Sequence, residues 1–308
     1  MVERSITFYS DGLKLAGTLY LPESLPEGQR LPVVVACSGY LGLNAIYPRL
    51  FAQALTPRGF VVLGFDYRGT GFGEGQYGRI LVEEQVKDIK SAITFARLQP
   101  EVDLERIALL GWGMGAGNVV QVAAYDRRVR AVIALNGFYS GERFLQVRNG
   151  AEGFQRLLER LEEDRIQRTT TGQGRFGDAY EAYPLDPDTA EEVGRNLEPV
   201  PRFGPPPIAF ELVDSLLAFE PEAVVARIAP RPLFIGHGEG NRLHPPAEAL
   251  SLYERAREPK TLYWIPGKHN DFMQLEHPVF QRLCADLDTW LRDSLGVGQY
   301  VAMVKGSD

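Results

Sequence analysis

Cysteine is nearly absent from the 308-residue chain, which has two, Cys37 and Cys284. Two thiols cannot make a disulfide framework, so a reducing, cytoplasmic compartment is the expectation. Basic charge is not in excess. The 33 Lys and Arg residues face 40 Asp and Glu, a net charge of −7, without the positive footprint that a nucleic-acid partner requires. No uninterrupted apolar stretch approaches the ~20 residues of a membrane span, so no membrane partner is expected. The opening MVERSITFYSDG lacks the basic-then-apolar layout of a secretory signal. Histidine is scarce too, at four, and no C-x-x-C or H-E-x-x-H spacing makes a metal site of His237, His244 and His269. Neither a metal nor another cofactor is expected.

What is present is a series of short apolar runs: Val33–Cys37, Phe60–Phe65, Ile107–Leu110, Val129–Leu135, Leu233–Gly236 and Leu262–Ile265. Unbroken runs of this length read as strands buried on both faces, hence a parallel sheet covered by helices. Val82, Val86, Ile89, Ile93 and Ala96 recur at helical spacing between two of them. The alternation predicts an α/β fold with a doubly wound, mostly parallel sheet. Ile6–Leu21, with Asp11-Gly12 at its middle, reads as an antiparallel hairpin at the sheet edge.

The rhythm breaks over residues 141–227. Residues 1–140 and 228–308 therefore read as one core, and 141–227 as a helical lid inserted over the sheet's carboxyl edge, where open α/β sheets bind ligands. Phe154, Leu157, Leu158 and Leu161 mark an amphipathic helix there, and a loop-rich stretch ends in Pro205-Pro206-Pro207. Seven arginines fall between Gly141 and Arg175. They could hold a substrate carboxylate; the simpler reading is a solvated face of ion pairs with neighbouring glutamates.

After the run Ile107–Leu110 comes Gly111-Trp112-Gly113-Met114-Gly115, then a helix beginning near Ala116. This strand, tight turn and helix follow the nucleophile-elbow pattern G-x-S-x-G, with Gly113 where the serine would stand. At this point the chain resembles the α/β-hydrolase superfamily, with a core like those of cocaine-esterase-like and dienelactone-hydrolase-like members, over nearly its whole length. VVVACSGYLG (33–42) looks like the strand and loop supplying the first oxyanion donor. GFDYRGTGFGEG (64–75) is similar to the D-x-R-G-x-G-x-S loop, PLFIGHGEGNRLHP (232–245) to the strand carrying the triad acid, and PGKHNDF (266–272) to the loop of the triad histidine. The resemblance implies His269 as catalytic histidine and the backbone N–H groups of Tyr40 and Met114 as oxyanion donors. The acid position holds Asn241, an amide, and Glu239 two residues earlier is an alternative group to orient His269.

Other readings compete. Gly111-x-Gly113-x-x-Ala116 also fits a dinucleotide fingerprint, but Asn136 and Gly137 stand where its acid is expected, and the element comes third rather than first. Gly69–Gly75 is glycine-rich, yet no Lys-Ser/Thr follows it, so it reads as a turn. Cys37 could replace the nucleophile, though a cysteine closing a Val-rich run is more often a core residue. Ser38, Asp66 and Arg68 read as loop supports, His237 as structural, Tyr40 as overhanging the pocket, and Trp112 as wedged under the lid or against the next helix. The tail Gly296–Asp308 is a packing arm for a homo-oligomer or an unstructured end.

Losing the nucleophile costs a serine hydrolase on the order of 10⁶ in turnover, and an amide for the acid ~10⁴, so acyl-serine chemistry at position 113 is excluded. A histidine and two fixed N–H donors still suffice to activate water against a carbonyl. The expected function is hydrolysis of a small ester, amide or C–C substrate by His-activated water. Lyase or isomerase chemistry by proton abstraction next to a carbonyl, and a non-catalytic ligand-binding protein, are the alternatives.

Overall fold

The computed structural model describes residues 1–41, 43–197, 199–202 and 206–298. Gly42, Pro205 and the tail from residue 299 onward, which figured in the sequence readings, lie outside the described residues. Strands β1 (Val2–Ser10) and β2 (Leu13–Leu21) pair antiparallel around Asp11-Gly12. Both turn residues have positive φ, 49° and 83°, as a two-residue hairpin turn of matching twist requires. Then come β3 (Leu31–Cys37), β4 (Val61–Phe65), β5 (Val102–Trp112) and β6 (Ala131–Leu135). Within the insertion, β7 (Phe176–Gly177) and β8 (Ile208–Ala209) form a separate ribbon; β9 (Leu233–Gly238) and β10 (Lys260–Ile265) return to the main sheet. The eight strands run in the order β1-β2-β4-β3-β5-β6-β9-β10, parallel from β4 to β10.

Alternation within the buried runs explains both helical layers. Val33 and Val35 face one side with α2 (Val82–Ala96) and α3 (Met114–Tyr125), where Ile89, Ile93 and Val119 are fully buried. Val34 and Ala36 face the other, against α1 (Tyr47–Leu55) and α10 (Pro278–Leu295), through Phe51, Phe280, Leu283 and Leu287. A strand with apolar residues at every position is what two covered faces demand. β5 extends upstream of its apolar run through the polar, partly exposed Asp103–Arg106, so its start is invisible to hydrophobicity alone.

Residues 141–227 leave the sheet after β6 and return at β9. They hold α4 (Gly141–Thr171), kinked at Gly150 (φ 65°, ψ 174°), then α5 (Ala179–Ala182), α6 (Pro187–Glu192), α7 (Leu212–Leu217) and α8 (Pro221–Val224). Leu157 and Leu161 form the buried face of α4. Arg143 forks to two carboxylates, Nε to Glu248 at 2.6 Å and Nη2 to Glu222 at 2.8 Å; Glu248 lies on α9 (Ala247–Arg255) of the core. Arg160 and Arg175 pair with Glu181, while Arg165 and Arg168 pair with Asp214. These arginines hold the insertion together and to the core, rather than awaiting a substrate carboxylate. No helix of the described residues is long and apolar enough to cross a membrane.

Candidate functional site

The elbow's shape follows from sterics. A Cβ on Gly111 would lie 2.2 Å from the Gly115 carbonyl oxygen, and one on Gly115 would lie 2.2 Å from that of Ser38, so neither position admits a side chain. Gly113 differs. Its backbone has the strained elbow conformation (φ 59°, ψ −124°), but a Cβ there meets nothing nearer than His269 Nε2 at 3.8 Å, Gly39 Cα at 3.9 Å and His244 Cε1 at 3.9 Å. One C–O bond beyond that point lies within hydrogen-bond reach of the imidazole. The turn thus has a strained strand-to-helix backbone with open space at the central position, facing His269.

Met114 opens α3, so its N–H has no carbonyl one turn back. The loop after β3 abuts the same turn: a Cβ on Gly39 would sit 3.0 Å from the Trp112 oxygen and 3.8 Å from the Met114 nitrogen. Ser38 braces that loop by donating to the Leu43 carbonyl at 2.9 Å. Among the described residues, neither the Tyr40 nor the Met114 amide donates to a protein acceptor.

His269 is 6% exposed, and its ring packs near Trp112 and edge-on to His244. Burial, with two further imidazoles close by, holds its pKa well below the ordinary histidine value, so it is neutral at neutral pH. Its Nδ1 is buried without a hydrogen-bond partner among the described residues. Two expectations are corrected here. Asn241 does not orient His269: its Oδ1 accepts from the His244 backbone N–H at 3.0 Å, closing the turn after β9. Its Nδ2 lies 3.4 Å from His237 Nε2, but that nitrogen donates to the His244 carbonyl at 2.8 Å and cannot also accept. Glu239 is exposed to solvent and makes no hydrogen bond to His269. The ring is positioned instead by packing and by its own main chain, whose carbonyl accepts from Asn136 Nδ2 at 2.8 Å.

Three residues that the sequence did not single out for the site belong to it. Asn136, fully buried at the end of β6 with φ 49°, also accepts from Gly238 N at 2.7 Å, and its main-chain oxygen contacts His244 Nδ1 at 2.6 Å. It ties together the ends of β6 and β9 and the His269 loop. An asparagine closing an apolar strand was the available signal, because asparagine tolerates left-handed backbone. His244 must carry its proton on Nδ1 to meet that carbonyl, which leaves Nε2 to accept from the Tyr183 hydroxyl at 2.8 Å. Both nitrogens are engaged, and burial lowers its pKa to about 3, so it is a neutral fixture and not a second base. Tyr183, from the insertion, stacks on Tyr40 at a centroid distance of 4.4 Å, while Tyr40 Oη donates to the Ala179 carbonyl at 2.7 Å. No motif connects residues this far apart in the chain.

A cavity of about 90 Å³, space for several waters, opens on Gly113 and His269. Its walls come from the core (Tyr40, Tyr47, Trp112) and from the insertion (Tyr183, Leu185, Val193). Trp112 packs against Tyr47 and Phe51 of α1 and against Phe272 rather than on α3, and it forms part of the cavity wall opposite the insertion. Cys37 is buried with its pKa pushed up by desolvation, which makes it a core residue and a poor nucleophile. Asp66 accepts from the Asn44 and Phe72 amides, and Arg68 bonds Asp88 and Ser10, so both brace loops as expected.

The model of the X-Pro dipeptidyl-peptidase (S15) family matches residues 11–193. An Escherichia coli "uncharacterized 31.7 kDa protein in traX-finO intergenic region" is 28% identical over 92% of this chain and 98% of its own. The crystal structure of hypothetical protein PA2218 from Pseudomonas aeruginosa superposes with a TM-score of 0.80 at 26% identity, covering 94% of this chain and 93% of that one. The α/β hydrolase GrgF from a Penicillium species, named a polyketide transferase, superposes with a TM-score of 0.77 at 25% identity over 96% and 100%.

Proposed function

Since the chain belongs to the X-Pro dipeptidyl-peptidase (S15) family and carries the α/β-hydrolase fold, we propose that it hydrolyses a small carbonyl compound (an ester, amide or C–C substrate) by water activated at His269, with no acyl-serine intermediate. The observation that carries this reading is the open side-chain position at Gly113, 3.8 Å from His269 Nε2, in an elbow whose other glycines are sterically obligatory. A water in that opening gives its proton to Nε2 as its oxygen attacks the substrate carbonyl. The Tyr40 and Met114 amides take up the developing oxyanion, and the imidazolium then protonates the leaving group. Because His269 is neutral in the resting protein, it is in its base form without prior deprotonation.

The test is turnover on a panel of neutral esters, thioesters and β-diketones. His269→Ala should lower turnover by about 10²–10⁴ with an unchanged circular-dichroism spectrum. Undiminished turnover in that variant overturns the proposal, and so does labelling of the native protein by a fluorophosphonate. Gly113→Ser, which places a hydroxyl toward Nε2, should gain esterase activity.

One observation favours a second reading, a ligand-binding protein without turnover: the unpartnered His269 Nδ1, the atom a triad acid would hold. Ligand binding without hydrolysis of any panel member would support it.

A further inference from the structure

The cavity at Gly113 has a neighbour. A second cavity of about 290 Å³ shares the wall residues Ile46, Tyr47, Leu197 and Asn270 with the first and runs along α1 past Leu50 and Gln53 to Met273. No Lys, Arg, Asp or Glu lines the first cavity among the described residues; Arg49 and Glu192 enter only in the second. A free ammonium or carboxylate confined to the first cavity would therefore be desolvated with no charged group in the walls around it.

From this we infer the substrate class: a carbonyl compound uncharged near its reacting end, whose apolar tail passes Tyr47 along the wall of the second cavity formed by Ile46, Leu50, Leu197, Val200 and Met273. Tyr47 borders both spaces. Its ring packs 5.1 Å from Trp112, so it is held in place by the wall of the first cavity while bordering the second. The inference rests on the proposal that a carbonyl is seated at Gly113 and His269, and it adds where the rest of the molecule lies.

Binding tests it independently of turnover. Linear methyl ketones from four to twelve carbons cannot be hydrolysed, and Trp112, in the first cavity, reports their entry by fluorescence. Affinity should rise about fourfold per methylene while the tail fills apolar space. Gln53→Phe, which narrows only the second cavity, should abolish the gain for the longest ketones and leave the shortest unchanged. Tyr47→Ala should widen the wall common to both cavities and admit branched tails. Carboxylates and alkylammonium ions of equal length should bind at least tenfold more weakly. Affinity independent of chain length, equal binding of the charged analogues, or indifference of the longest ketones to Gln53→Phe overturns the inference. Should the ketones bind as described while no panel member is turned over, the class of ligand stands and the hydrolytic proposal falls.

Discussion

The elbow between β5 and α3 and the inserted segment 141–227 face each other across one cavity, yet different physics holds them. In the elbow, backbone meets backbone: Gly111 and Gly115 are packed so closely that a methyl group would overlap a carbonyl oxygen. The insertion is held by side chains, through arginine–carboxylate pairs at its root and along α4 and an aromatic stack over the cavity. The first kind of contact has one solution and little slack. The second distributes its stability over many replaceable pairs.

Breaking the elbow should have the largest effect. Gly115→Ala forces the Ser38 loop away from α3, and a loss of more than about 3 kcal/mol is expected, read as a collapse in thermal midpoint or in soluble yield. A midpoint within a few degrees of native would show that the elbow has slack. At the root of the insertion, Arg143→Met leaves Glu248, 3% exposed, without its cation, and Glu222, 6% exposed, with only Arg255 at 3.4 Å. About 2–4 kcal/mol should be lost, measured by urea denaturation. At the far end of α4, Arg165→Ala removes a largely exposed pair with Asp214 and should cost at most about 1 kcal/mol. Equal losses at Arg143 and Arg165 would erase the distinction between root and surface.

Acid bears on the junction between the two regions. His237 and His244 have pKa values lowered by burial to about 4 and about 3, and that of His269 lies well below normal. In the unfolded chain each takes up a proton near pH 6.5, which the folded protein refuses. Their contribution to stability is therefore complete above pH 6.5. It is lost as pH falls from there toward pH 3, by on the order of 1.4 kcal/mol per pH unit for each histidine. Thermal midpoints between pH 7 and 4 check this, and His237→Gln should flatten the slope. A slope unchanged in that variant would show that carboxylates alone drive the acid loss.

The sheet was legible because a strand buried on both faces has no polar position to hide it; Val33–Cys37 and Ala131–Leu135 needed no context. The elbow was legible through its glycines, and His269 through its loop. Asn241 was misread because the motif gives its place but not its partner: its amide closes the turn before His244 instead of reaching His269. Asn136 and Tyr183 were missed because their roles depend on hydrogen bonds to residues 133 and 61 positions away.

By itself, then, the sequence determined the layers, the strand runs and the steric demand for glycine at position 111, since these follow from burial and backbone contact close along the chain or in one repeated pattern; the demand at 115 is set by the Ser38 carbonyl of another loop. Only the tertiary structure decided what surrounds the open position at Gly113. That neighbourhood assembles loops after β3, β5, β6, β9 and β10 with part of the insertion, and distances between such segments are set by packing of the whole sheet rather than by any local preference.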